Sequence, residues 1–197
     1  MSRLLSSDLR LAPLAVHSRS RSLDLLLRAS VAVAASLFVA VCAHIAVPLP
    51  FTPVPFTLQP FAVILVGMLL GPGAGFAAMA LYLAEGAAGL PVFTPLGLPG
   101  IARLIGPTGG YLFAYPVAAA IAGALPHLLR ARRFVAYAVS GTAAMAVIYT
   151  AGALWFSHAL GISVSAALAG TVVPFAASDV VKICAAAGIA SALGRRA

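Results

Sequence analysis

Asp179 and Lys182 stand three residues apart in an otherwise apolar stretch, Glu85 interrupts another, and Arg103 follows in a loop. A charge at the centre of a membrane helix costs on the order of 2.5–3.5 kcal/mol even on insertion scales, so retained ones are either paired or used. The i, i+3 spacing puts Asp179 and Lys182, the single lysine of the chain, on one helical face. There they could neutralise each other as a structural ion pair or converge on one polar ligand. Glu85 could line the same pocket, or cap or snorkel at an interface. Arg103 could complete a site or be an ordinary surface charge.

Neutral polar groups accompany these charges. Gln59 and Thr57 offer donors and acceptors at the start of an apolar segment, where helix capping is the competing role. Tyr82 and Tyr111 could each present a ring face and a hydroxyl. The run Gly106-Pro-Thr-Gly-Gly-Tyr111 opens a helix, so Thr108 and the free N–H groups around Gly109 could receive an anionic or carbonyl oxygen. Close helix packing is an equally simple use for those glycines. The run lacks the lysine and Ser/Thr of a nucleotide-binding loop. Cys42 and Cys184 lie in apolar segments without metal-site spacing and read as packing residues, and no metal or cofactor is expected.

The elements that hold these residues follow from composition. The 197 residues are 62% hydrophobic and 8% charged, against roughly 25% charged in an ordinary soluble domain. This excess of apolar surface requires a bilayer as solvent and excludes a soluble fold. Apolar runs cover about 29–47, 58–71, 73–90, 107–129, 134–158 and 164–193, punctuated by Gly, Pro and charge. The expected architecture is therefore an all-α integral membrane protein of about six transmembrane helices. Residues 1–28 form an N-terminal tail and 29–197 the membrane domain, the first run being long enough to span rather than serve as a cleaved signal core. The second run is short for a ~30 Å hydrocarbon core and is expected to be tilted, re-entrant or shielded by neighbours.

The net charge of +8 comes from topology and not from nucleic-acid binding. All of the twelve basic residues except Arg103 and Lys182 fall before the first run, between the fourth and fifth, or after the sixth. With six crossings these clusters share one side, which the positive-inside rule makes cytoplasmic, together with both termini. Glu85, Arg103, Asp179 and Lys182 then lie toward the opposite, extracytoplasmic side. The proline-rich connection from Pro48 to Thr57, where helix is forbidden, suits a stiff rim or lid over a cavity.

Four stretches in this order and spacing carry a family resemblance: Pro48-Leu-Pro-Phe-Thr-Pro-Val-Pro-Phe-Thr-Leu-Gln59, Tyr82-Leu-Ala-Glu-Gly-Ala-Ala-Gly-Leu-Pro-Val-Phe93, Gly106-Pro-Thr-Gly-Gly-Tyr-Leu112 and Pro174-Phe-Ala-Ala-Ser-Asp-Val-Val-Lys182. Through most of residues 30–193 the chain resembles the BioY family, the biotin-binding S components of energy-coupling-factor (ECF) vitamin transporters. Ser178 departs from the glycine usual before the aspartate, which bears on local packing. The resemblance implies a multi-pass protein of the cell (inner) membrane, without enzyme activity, that binds biotin with Asp179 and Lys182 and lines the cavity with the other motifs. It also implies a transmembrane coupling subunit and cytosolic ATPases as partners, although some relatives are thought to work without a dedicated set.

Biotin suits this inventory: it joins a cyclic urea, an apolar thioether ring and a carboxylate tail. Asp179 could accept from the urea N–H groups, hydroxyls could donate to its carbonyl, and Lys182 or Arg103 could neutralise the carboxylate. Ala32, Ser36 and Ala40 recur every four residues on the first helix and form either a docking stripe for a coupling subunit, a homo-oligomer contact or intramolecular packing. Two other function classes fit the charges: a secondary transporter of another small anion, and a structural membrane protein. The first usually shows inverted repeats, and no internal repeat is evident.

Overall fold

The computed structural model describes residues 12–50 and 52–193, with side chains described from residue 21 onward apart from Pro53. Two units divide the chain, Met1–Val31 and Ala32–Ala197. The first contains the N-terminal part of α1 (Ala12–His44), so helix begins well before the expected start at Ala29. Arg3, Arg10, Arg195 and Arg196 of the basic clusters, and the Arg19 side chain, lie outside the described residues.

After α1 come a short hairpin, β1 (Ala46–Leu49) and β2 (Thr52–Thr57), then α2 (Gln59–Ala87), α3 (Ile101–Ile105), α4 (Gly109–Leu128), α5 (Arg133–Leu160), α6 (Val164–Thr171) and α7 (Ala176–Leu193). Among the described residues five helices are long and apolar enough to cross a membrane: α1 from Arg21, α2, α4, α5 and α7. Backbone polar groups in hydrocarbon must be satisfied internally, which is why the apolar segments are helical.

The sixth rod is hidden inside α2. Gly71 takes φ 80° and ψ 176°, a conformation open essentially to glycine alone, and Pro72 follows it without an N–H to donate. A Cβ on Gly75 would lie 3.0 Å from the Gly67 Cα, although eight residues of straight helix extend about 12 Å. The Gln59 and Tyr82 side chains likewise meet at 2.7 Å across what would be about 35 Å of straight helix. α2 is therefore an αα-hairpin with arms 59–70 and 72–87. At 1.5 Å per residue its twelve-residue first arm is about 18 Å long. Of the three outcomes expected for that short segment, shielding is evident: Ala62, Val63, Ile64, Leu65 and Val66 are all buried.

The arms close on each other and on α4 through small residues. A Cβ on Gly67 would sit 2.2 Å from the Ala119 carbonyl oxygen, and one on Gly123 2.5 Å from the Gly67 carbonyl oxygen. α4 packs between α2 and α5, and α7 leans on both of those helices. The core runs through Val39, Ile64, Met79, Ala118, Ala144, Ile148 and Ala186. Ser36 and Ala40 of the small-residue stripe are buried within the chain, so intramolecular packing accounts for them.

Three local features differ from the expectation. The proline-rich connection is extended as expected but also pairs into the antiparallel β1–β2 hairpin, because its residues between prolines retain N–H donors. The long loop after α2 contains the single turn of α3. The segment 164–193 is not one helix: it breaks at residues 172–175 around Pro174, and α7 restarts at Ala176. Backbone bonds from Val172 and Val173 to the Leu168 carbonyl, and from Asp179 to that of Phe175, close the break on both sides.

Candidate functional site

A pocket lies where α2 begins, α4 begins and α7 begins, lined also by β2 and α5. α4 starts at the pocket with Gly109 and ends at Leu128, and α5 then starts at Arg133. The connection bearing Arg130, Arg132 and Arg133 is thus at the opposite end of the helices from the pocket.

The break at Pro174 sets Asp179 in the first turn of α7 and Lys182 one turn later, both facing the pocket. Lys182 Nζ lies 2.7 Å from Asp179 Oδ1, with both side chains buried. The Tyr149 hydroxyl, from α5, donates to Asp179 Oδ2. Lys182 Nζ also sits 4.1 Å from the ring centroid of Phe56 on β2, and that ring stacks on Phe175 at 6.5 Å. The hairpin thus rests on the ammonium by a cation–π contact, a favourable interaction of about 0.5–2 kcal/mol. Ser178, beside the aspartate, donates its hydroxyl to the Phe175 carbonyl at 2.7 Å, a turn contact glycine could not supply.

Arg103 reaches the pocket from α3 and is 7% exposed. Its Nη2 donates to the Thr94 carbonyl at 2.8 Å and to the Leu96 carbonyl, while Nε is buried without a hydrogen-bond partner. Gly97, at φ +101°, brings the loop against the guanidinium: a Cβ there would lie 2.9 Å from Nη1. Among the described residues no carboxylate lies within ion-pair distance of Arg103. Burial lowers its pKa from the ordinary value, opposed by the nearby phenols of Tyr82 and Tyr115. A guanidinium remains charged even so. The pocket therefore holds one internally paired cation, Lys182, and one cation satisfied only by neutral carbonyls, Arg103.

Of the remaining residues singled out in the sequence, Thr57, Gln59, Thr108 and Tyr111 line the pocket. Thr108 precedes α4 without capping it, which leaves the hydroxyl free of that duty. Gly109 does not line the pocket. Its N–H bonds the Gly106 carbonyl, that of Tyr111 bonds the Thr108 carbonyl, and a Cβ on Gly109 would lie 1.8 Å from the Leu104 carbonyl oxygen. Packing thus occupies this glycine. Trp155 of α5 holds the same turn, donating Nε1–H to the Gly106 carbonyl at 2.9 Å. Tyr82 is fully buried behind the pocket wall. Glu85 is likewise not a lining residue and accepts a hydrogen bond from Ser36 of α1.

The structure adds residues that sequence reasoning did not single out: Tyr115, Tyr149, Thr171 and Phe175. Tyr149 stands thirty residues from Asp179 on another helix, with no local spacing to betray it. Phe175 lay within a quoted motif and carried a signal, the adjacent Pro174.

The family model for the BioY family matches residues 16–197. The chain belongs to the BioY family. Among its curated relatives, the "Probable biotin transporter BioY" of Pyrococcus horikoshii is 40% identical over 72% of this chain and 81% of its own length. The "Biotin transporter BioY" of Thermotoga maritima is 37% identical over 73% of this chain and 83% of its own. The same fold is seen in a crystal structure described as the S-component for biotin from an ECF-type ABC transporter, which superposes with a TM-score of 0.79 at 24% identity, covering 88% of this chain and 94% of the other. This BioY-family chain is thus a multi-pass membrane protein from a family of transporters, not of enzymes.

Proposed function

We propose that the pocket between α2, α4, α5 and α7 captures biotin from the extracytoplasmic side, and that the protein delivers it inward as the substrate-binding subunit of an ECF-type transporter. A transmembrane coupling subunit and cytosolic ATPases supply the energy. The observation that carries this reading is the buried charge set lining one pocket, the Asp179–Lys182 pair together with Arg103, which has no carboxylate partner among the described residues. The arginine-rich α4–α5 connection at the other end supports an outward-facing mouth, because basic loops favour the cytoplasm.

Each part of biotin then has a partner. The carboxylate takes Arg103, since Lys182 is already neutralised by Asp179 at 2.7 Å. The thioether ring lies against Phe93, Leu112, Ile148 and Phe175. Tyr115, Thr108 and Thr171 offer hydroxyls, and Gln59 and Asp179 offer acceptors, to the urea. A charge-assisted bond is worth about 1.5–3 kcal/mol, a factor of roughly 10–100 in affinity. Wild-type protein is accordingly expected to favour biotin over its neutral primary amide by about that factor in competition binding. In Arg103→Met the two ligands should bind alike. Undiminished preference for biotin in the folded variant would remove Arg103 from the carboxylate end.

A further inference from the structure

We infer that Tyr82, which does not touch the pocket, is a positioning residue that fixes the Gln59 amide so that its carbonyl oxygen serves as a hydrogen-bond acceptor for a ligand N–H. This deepens the biotin reading and rests on it: the N–H concerned belongs to the cyclic urea.

The orientation follows from an inventory of donors. The Tyr82 hydroxyl lies 2.9 Å from the Val92 carbonyl oxygen, which can only accept, so the single phenolic proton is directed there. Whatever approaches the Tyr82 oxygen from the other side must then donate to it. The Gln59 amide does so at 2.7 Å, which identifies the approaching end as Nε2–H₂. Oε1 is turned the other way, where the Thr57 hydroxyl is at the 3.5 Å limit of hydrogen bonding. Gln59 is 4% exposed and lines the pocket, whereas Tyr82 is fully buried. An amide free to rotate could offer donor or acceptor with equal ease. This one is polarised by a chain of bonds that ends on a backbone carbonyl.

Asp179 offers a second acceptor of a different kind: its Oδ1 is ion-paired with Lys182 at 2.7 Å without accepting a hydrogen bond, and its Oδ2 accepts from the Tyr149 hydroxyl. Tyr82 also joins separate parts of the site: it ties the first arm of α2, through Gln59, to the Val92 backbone, two residues before the Thr94 carbonyl that holds Arg103. Its ring is held edge-on to Phe93 at 5.4 Å.

The test is a double-mutant cycle on equilibrium biotin binding, with Gln59→Met, Tyr82→Phe and the double variant, each checked for monodispersity in detergent. Each single change is expected to weaken binding by about tenfold, the factor for one polar hydrogen bond. Because Tyr82 acts through Gln59, Tyr82→Phe should cost little more once Gln59→Met is present. A merely structural tyrosine would instead add its full penalty in both backgrounds, and that result overturns the inference. A second arm uses biotin methylated at either ureido nitrogen. For at least one of the two, wild type and Gln59→Met should bind equally weakly, because the bond is already gone. If both methylated ligands retain the tenfold preference for wild type, the inference fails even if Tyr82→Phe cannot be folded. Failure of wild-type protein to bind biotin at all would be a different result, defeating the biotin reading itself.

Discussion

Lys182→Met is expected to destabilise the protein on the order of 3–5 kcal/mol and to abolish biotin binding. Removing the ammonium strands Asp179, 3% exposed, with only the Tyr149 hydroxyl for company. Breaking a buried ion pair from one side leaves an uncompensated charge, whereas removing both charges is often tolerated. The double variant Asp179→Asn/Lys182→Met should therefore recover most of the thermal stability in detergent while remaining unable to bind. A pair that serves only structure would return binding together with stability. The two readings of an i, i+3 pair in a membrane helix, structural and ligand-directed, separate on that one comparison. The Lys182 substitution also removes the cation beneath Phe56, so the β1–β2 hairpin should become more accessible to protease in the same variant.

Gly110→Ala is expected to be nearly as damaging, for reasons of space and not of charge. A Cβ there would lie 2.2 Å from the Trp155 Cβ and 2.6 Å from the Ala151 carbonyl oxygen, so α5 backbone would have to move. Overpacking of this kind costs typically 1–3 kcal/mol and occasionally more. Displacement of Trp155 would also strain its bond to the Gly106 carbonyl and with it the turn between Arg103 and Thr108. Gly188→Ala is the matched control. Nothing lies within 4 Å of its Cβ position, and Ala is favoured over Gly in a helix by roughly 0.5–1 kcal/mol. Thermal unfolding of the two variants should shift in opposite directions from wild type. A neutral Gly110→Ala would mean that α4 and α5 are not in the described contact.

The residues that were legible in the sequence are those whose chemistry conflicts with their surroundings. Asp179 and Lys182 announced themselves because charge in an apolar run is costly, and three-residue spacing places them on one face. The prolines between Pro48 and Pro55 excluded helix, and the connection is extended. The Gly71–Pro72 punctuation separated two apolar runs that prove to be the arms of one hairpin.

What escaped depends on contacts between distant residues. Tyr149 is one tyrosine in a long apolar helix, and only the packing of α5 against α7 brings it to Asp179. Pro174 was visible, but whether it kinks a helix or ends one is decided by what its freed carbonyl neighbours can bond. Glu85 looked like a pocket charge because its depth in the chain matched, yet rotation about the helix axis carries it to Ser36 on α1. Gly109 shows the same limit. A helix N-terminus rich in glycine reads equally as an anion cradle or a packing notch, and the Leu104 carbonyl at 1.8 Å from its Cβ position identifies the notch.

Equilibrium binding of radiolabelled biotin to the detergent-purified, monodisperse protein, with Asp179→Asn and Lys182→Met alongside, tests most directly whether the pocket is a biotin site. Wild-type protein is expected to bind saturably with one site per chain, and both variants to lose that binding. Absence of saturable binding in folded wild-type protein, or undiminished binding in the folded variants, would contradict that assignment.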